Sequence, residues 1–128
     1  MEIFISNTGD IPIYAQITDQ IKEKIMTGEL KEGDPLPSIR FLAKELRISV
    51  ITTKRAYDDL EQSGFIYTLP GKGSFVAAQN KERMREETLK KIESLLSQAL
   101  DTARVGGVSR EEVLEALQLL MEGDDPNE

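Results

Sequence analysis

The side chains with usable chemistry fall into three short groups. They are Ser38 and Arg40, then Ser49, Val50, Ile51, Thr52, Lys54 and Arg55, then Gly71, Lys72 and Gly73. Hydroxyl, guanidinium and ammonium groups of this kind donate hydrogen bonds to anionic oxygens and to polar base edges. They do not form a catalytic set. The chain has no histidine and no cysteine, which removes the commonest general base, the thiolate nucleophile and the usual transition-metal ligands. The carboxylate pairs Asp58-Asp59, Glu86-Glu87 and Glu111-Glu112 are adjacent in sequence. Neighbours on a helix do not face one another, so none is a dyad. Asp124-Asp125 sits in the terminal tail, a poor place for a rigid metal site. Gly71-Lys72-Gly73-Ser74 lacks the spacing of a phosphate-binding P-loop. No enzymatic activity, metal or cofactor is expected.

The elements that must position these groups follow from periodicity and turn chemistry. Ile3–Ile5 is a short apolar run closed by Ser6-Asn7-Thr8-Gly9. Ile13, Ile17, Ile21 and Ile25 recur every fourth residue, which predicts a first helix beginning near Asp10-Ile11-Pro12 and stopped at Gly28. Residues 30–35 read as a turn-rich connector. Ser38 is placed as the N-cap of a short second helix whose inward face is Phe41, Leu42 and Leu46. Ser49 is placed as the N-cap of a third, running to about Ser63, with Thr53, Ala56, Tyr57 and Leu60 inward and Gly64 just past its end. Residues 65–68 and 74–76 are strand-like, and the Pro-Gly-Lys-Gly between them predicts a hairpin.

Helix, tight turn, helix and hairpin in that order is the layout of a winged helix-turn-helix. The third helix would enter the major groove of B-DNA with Ser49, Val50, Ile51 and Thr52 leading, and Lys54 and Arg55 a turn behind. Val50 and Ile51 can contact only thymine methyls or pack on sugars. Arg40 can lie along a phosphate backbone or fork onto a guanine, and the Gly71-Lys72-Gly73 tip can reach the minor groove or adjacent phosphates. Each group has a plainer alternative: a helical hairpin with a solvated face, an Arg paired locally with Glu45, and a surface turn carrying a solubilising Lys.

Beyond residue 78 the pattern changes. Residues 80–104 lack Gly and Pro and place Met84, Thr88, Ile92, Leu95, Leu96, Ala99, Leu100 and Ala103 on one face. Gly106-Gly107 ends that helix, and Ser109 with Glu112 forms a capping box for a last one bearing Val113, Leu114, Ala116, Leu117, Leu120 and Met121. Residues 123–128 are expected to be an acidic, frayed end. Two helices bury little by themselves, so Ile92, Leu95, Leu96, Ala99, Leu100, Leu114, Leu117, Leu120 and Met121 are candidates for a dimer interface. The alternative is packing onto the chain's own first helix. The expected fold class is mainly α with a small β-hairpin: a winged helix-turn-helix over residues 1–78, then a two-helix dimerisation segment over 79–128.

Net charge is −7 over 128 residues, which opposes a nucleic-acid partner until its distribution is considered. Residues 38–75 carry six basic and four acidic side chains, net +2, whereas residues 81–128 carry seven and twelve, net −5. Exposed charges more than about 10 Å apart are largely screened near 0.1 M salt, so a local basic face can still bind phosphate. The start, MEIFISNTGD, has no basic stretch before a long apolar run, and no 18-residue apolar segment follows. A secretory leader, a spanning helix and a membrane partner are therefore not expected, and a cytoplasmic location is.

These motifs resemble the GntR family of bacterial transcription regulators, in its YtrA-type branch. The resemblance is carried by Pro12-Ile13-Tyr14-Ala15-Gln16-Ile17, by Gly33-Asp34-Pro35-Leu36-Pro37-Ser38-Ile39-Arg40, by Thr52-Thr53-Lys54-Arg55-Ala56-Tyr57-Asp58-Asp59-Leu60-Glu61, and by Gly64-Phe65-Ile66 leading to Gly71-Lys72-Gly73-Ser74-Phe75-Val76. The short helical tail matches that branch. The resemblance implies a homodimeric repressor on a pseudo-palindromic operator, often controlling a transporter operon. Apart from the resemblance, the sequence leaves open an unidentified small-molecule effector at the dimer seam or beside the reading head. By motif position, Ser38 and Arg40 match the family's Pro-Ser-x-Arg contacts, Ser49, Thr52 and Lys54 its recognition-helix contacts, and Gly71, Lys72 and Gly73 its wing. Val50 and Ile51 depart from it, since the family usually has polar residues or Pro-Asn there. The alternative function is a winged-helix protein-interaction module without specific DNA binding.

Overall fold

The computed structural model describes residues 1–123. They form α1 (Ile13–Met26), α2 (Ile39–Leu46), α3 (Val50–Gln62), β1 (Ile66–Leu69), β2 (Gly73–Val76), α4 (Lys81–Gly106) and α5 (Arg110–Gly123). The chain divides into two compact units, Met1–Lys81 and Glu82–Glu128. Of the acidic end expected over residues 123–128, Gly123 closes α5 and residues 124–128 lie outside the described residues.

In the first unit the isoleucine ladder behaves as its spacing predicts. Ile17, Ile21 and Ile25 are buried, and with Leu42, Ala56, Tyr57, Leu60, Phe65, Ile66 and Val76 they form one core. Burial of each large apolar side chain contributes roughly 1.5–3 kcal/mol. Ahead of α1 the chain alternates, with Ile3 buried, Phe4 exposed and Ile5 partly buried. The α1 glutamines hold this extended segment. Gln20 bonds both the N–H and the C=O of Phe4 at 2.9 and 2.7 Å, and Gln16 does the same for Ser6 at 2.8 Å each. Side-chain amides thus supply the donors and acceptors that a neighbouring strand would otherwise provide.

Three departures from the sequence reading have physical causes. Phe41, expected inward, is 56% exposed, while Leu42 and Ala43 are buried. At 100° per residue, the face shared by residues 42, 43 and 46 leaves position 41 roughly 150° from its centre. Residues 33–35, within the segment read as a connector, and Leu36 after them pair with β2. Gly33 N–H donates to Val76 O, Val76 N–H to Asp34 O and Leu36 N–H to Ser74 O. Pro35 is tolerated because it sits on the edge, in a lone bridge opposite Phe75. The hairpin strands also lie one residue further toward the turn than expected, with Ile66 opposite Val76 and Leu69 opposite Gly73.

In the second unit, no residue of α4 or α5 is buried. Along α4, Leu89, Ile92, Leu96, Ala99 and Ala103 recur at alternating three- and four-residue spacing, an apolar seam. Gly107, at φ 74°, turns the chain after α4, with Val108 N–H bonded to Ala103 O in a Schellman closure. Ser109 and Glu112 form the capping box, at 2.8 and 3.2 Å.

Candidate nucleic-acid interface

The helix-turn-helix is built on serine caps. Ser38 Oγ accepts from Phe41 N–H at 3.1 Å and starts α2. Ser49 Oγ accepts from Thr52 N–H at 3.0 Å and starts α3. Between them α2 ends in a Schellman turn, with Ile48 N–H bonded to Ala43 O and Arg47 N–H to Lys44 O. Arg47 occupies the left-handed position at φ 57°, where glycine is usual. A side chain there costs on the order of 1 kcal/mol, which the caps and the Leu42–Leu60 core sustain.

The hairpin projects a tight tip. Lys72 N–H bonds Leu69 O, and Gly71, after Pro70, has φ 77°. Pro followed by a positive-φ Gly is the order of a type II turn. The Gly71 flank has nothing within 4 Å, so the backbone of the tip is accessible. Tyr67 and Phe75, opposite each other in the register, stack with centroids 5.7 Å apart. The Thr68 and Ser74 hydroxyls bond at 3.0 Å.

Three ties brace α2, α3 and the hairpin into one frame. Tyr57, buried in α3, donates its hydroxyl to Pro37 O at 2.7 Å, directly before the α2 cap. Burial raises the Tyr57 hydroxyl well above the usual tyrosine range, so it stays a donor. Glu61, on the same helix, accepts from Thr68 N–H in β1 at 3.2 Å. Residues 33–36 then bond the far side of β2 and run straight into Pro37 and Ser38. Neither Tyr57 nor Glu61 figured among the sequence candidates. An inward Tyr at a periodic position reads as core, and only the partner's place reveals what its hydroxyl does.

The candidate contact residues divide by what they already touch. Arg40, Lys72, Val50 and Ile51 are exposed. Ser49 Oγ also donates to Thr52 Oγ1 at 2.8 Å, so the Ser49 proton is used within the protein while Thr52 keeps its own O–H to donate. Lys54 pairs with Asp58 one turn on, at 2.7 Å, with both side chains solvated. Such a pair is worth about 0.3–0.5 kcal/mol, little enough for a phosphate to displace Asp58. Arg55 lies over the Tyr14 ring, 3.7 Å from its centroid, which fixes the guanidinium plane and leaves its N–H edges to donate. In the second unit the nine candidate interface residues are all exposed. Leu96, Leu100, Ala103, Val108, Val113 and Leu114 line an open hollow of about 760 Å³. Among the described residues there is no cluster of His, Cys, Asp or Glu suited to a metal, and no helix long and apolar enough to cross a membrane.

A capped helix-turn-helix braced to a glycine-tipped hairpin defines a winged-helix DNA-binding domain. Residues 13–76 match the model of the bacterial regulatory proteins, gntR family. Along the chain, 113 residues are 36% identical to the HTH-type transcriptional repressor YtrA of Bacillus subtilis, covering 88% of this chain and 87% of that one. A transcriptional antiterminator from Listeria monocytogenes EGD-e superposes with a TM-score of 0.71 at 30% identity, covering 94% of this chain and 90% of that one. AraR(DBD) in complex with operator ORX1 superposes with a TM-score of 0.54 at 28% identity, over 60% of this chain and 96% of that one. The chain belongs to the GntR family and is a transcriptional regulator of its YtrA-type branch, not an enzyme.

Proposed function

We propose that the protein is a homodimeric repressor that binds a pseudo-palindromic operator and represses by occupying promoter DNA. Two heads would place α3 in successive major grooves about one helical turn apart, with Arg40 and the Lys72 tip on the flanking backbone or base edges. Ser38, Ser49 and Thr52 build the helix starts. Lys54, Arg55, Gly71 and Gly73 frame the phosphate contacts. The single observation that carries this reading is the bracing of α2, α3 and the wing by the Tyr57–Pro37, Glu61–Thr68 and 33–36/β2 bonds. It presents three contact elements as one rigid surface.

Dimerisation is supported by the tail. Leu95, Leu96, Leu100, Leu114, Leu120 and Met121 are 44–66% exposed, and apolar faces of that extent mark association surfaces. We assign that face to a second copy of the chain and residues 79–128 to dimerisation. The named activity of the similar B. subtilis protein supports repression rather than activation. Control of a transporter operon follows from the YtrA-type resemblance alone.

The test is binding to the DNA upstream of the chain's own gene, against a scrambled duplex, near 0.1 M salt. Arg40→Ala should weaken specific binding by about 5- to 150-fold, as expected for loss of a forked base or phosphate contact of about 1–3 kcal/mol, without changing the sedimentation of the free protein. Equal affinity of Arg40→Ala and wild type would remove Arg40 from the interface. Equal affinity for the two duplexes, with no salt dependence, would favour a protein-interaction module on the same scaffold.

A further inference from the structure

We propose that Ile51, with Val50 beside it, reads operator DNA by apolar contact with thymine 5-methyl groups, so that this chain's base discrimination under the start of α3 is a methyl preference. The inference rests on the DNA-binding reading above and deepens it. Ile51 is 82% exposed and Val50 47% exposed, in the first turn of a 13-residue helix whose other large apolar side chains face the core. A lone exposed apolar residue is ordinary. Two in succession, at the turn that meets base edges, are placed where the groove is read.

The polar groups around them cannot easily take that part. The Ser49 hydroxyl caps the helix and spends its proton on Thr52 Oγ1, which holds the half-buried Thr52 side chain against the cap. The Thr53 hydroxyl is buried and donates to Ser49 O at 3.1 Å. Lys54 pairs with Asp58, and Arg55 lies on Tyr14, in the second turn. The first turn of α3 holds no Asn, Gln or Arg, the side chains that fork onto adenine or guanine. What stands outermost in that first turn is hydrocarbon. The one apolar feature in the major groove that differs among base pairs is the C5-methyl of thymine.

Full-length protein is used to select duplexes from a random-sequence pool, and the selected duplex is resynthesised with each thymine in turn replaced by deoxyuridine. This deletes only the methyl. Deoxyuridine at one or two positions per half-site should weaken wild-type binding about fourfold each, the value of one buried methyl. Ile51→Ala should bind the thymine and deoxyuridine duplexes equally at those positions. Because the side chain is exposed, its melting temperature should match wild type. A deoxyuridine penalty of the same size in wild type and Ile51→Ala, or none in wild type, overturns the proposal and leaves DNA binding standing. Enrichment of no duplex over the pool overturns both.

Discussion

Tyr57→Phe isolates the bond that ties the recognition helix to the start of α2. The substitution keeps the ring in the core and removes only the hydroxyl that donates to Pro37 O at 2.7 Å. It leaves a partly buried carbonyl without its partner, at about 1–2 kcal/mol. For a unit the size of residues 1–81 that is a fall in melting temperature of roughly 5–10 °C near pH 8. The pH dependence sharpens the test. The folded-state hydroxyl is held above its ordinary value by burial, so its contribution to stability is complete below about pH 10 and is lost as pH rises toward the folded value. At about pH 11 the unfolded wild type has gained roughly 1.4 kcal/mol by ionising this phenol, a gain the Phe variant lacks. The two proteins should therefore differ at pH 8 and converge near pH 11. All other side chains are common to the two proteins, so the difference between them isolates this hydroxyl. Urea unfolding followed by circular dichroism reads the difference. Parallel stabilities from pH 8 to 11, or a Phe variant as stable as wild type at pH 8, would refute the role given to this bond.

Two further outcomes test the surfaces. Lys72→Ala should weaken binding to specific and scrambled duplexes alike and lower the slope of log affinity against log salt by about 0.9, the signature of one lost phosphate contact; an unchanged slope in anisotropy titrations takes the wing tip off the DNA. Leu96→Glu with Leu117→Glu places charge on the apolar tail face and should shift sedimentation from dimer to monomer while the first unit keeps its circular dichroism. A dimer that survives both substitutions moves the interface elsewhere.

Much of the frame was legible because it depends on local chemistry. The Ile17, Ile21 and Ile25 ladder, the Ser38, Ser49 and Ser109 caps and the left-handed Gly64 and Gly107 positions each follow from a few neighbouring residues. The pairing of residues 33–36 with β2 was hidden by their own composition, since Gly-Asp-Pro-Leu-Pro reads as a turn until β2 supplies bonding partners. The Gln16 and Gln20 clamps, the Tyr57 bond and the Arg55–Tyr14 stack join residues ten or more positions apart and carry no periodic signal. The contact positions were legible as residue types. That Ser49, Thr52, Lys54 and Arg55 are engaged within the protein, leaving Ile51 outermost, was not.

A hairpin hung from one helix can swing, but β2 is held on both sides, by β1 and by the strap at residues 33–36 that continues into the cap of α2. The head is therefore a caliper with a fixed gauge. One inserted or deleted base pair between the groove step under α3 and the backbone step under Lys72 would shift the DNA by about 3.4 Å along its axis, which the head cannot absorb by flexing. The DNA would have to deform instead. Operators for such a head can vary in base identity away from the bases under Ile51 and Arg40, but not in the length of the half-site.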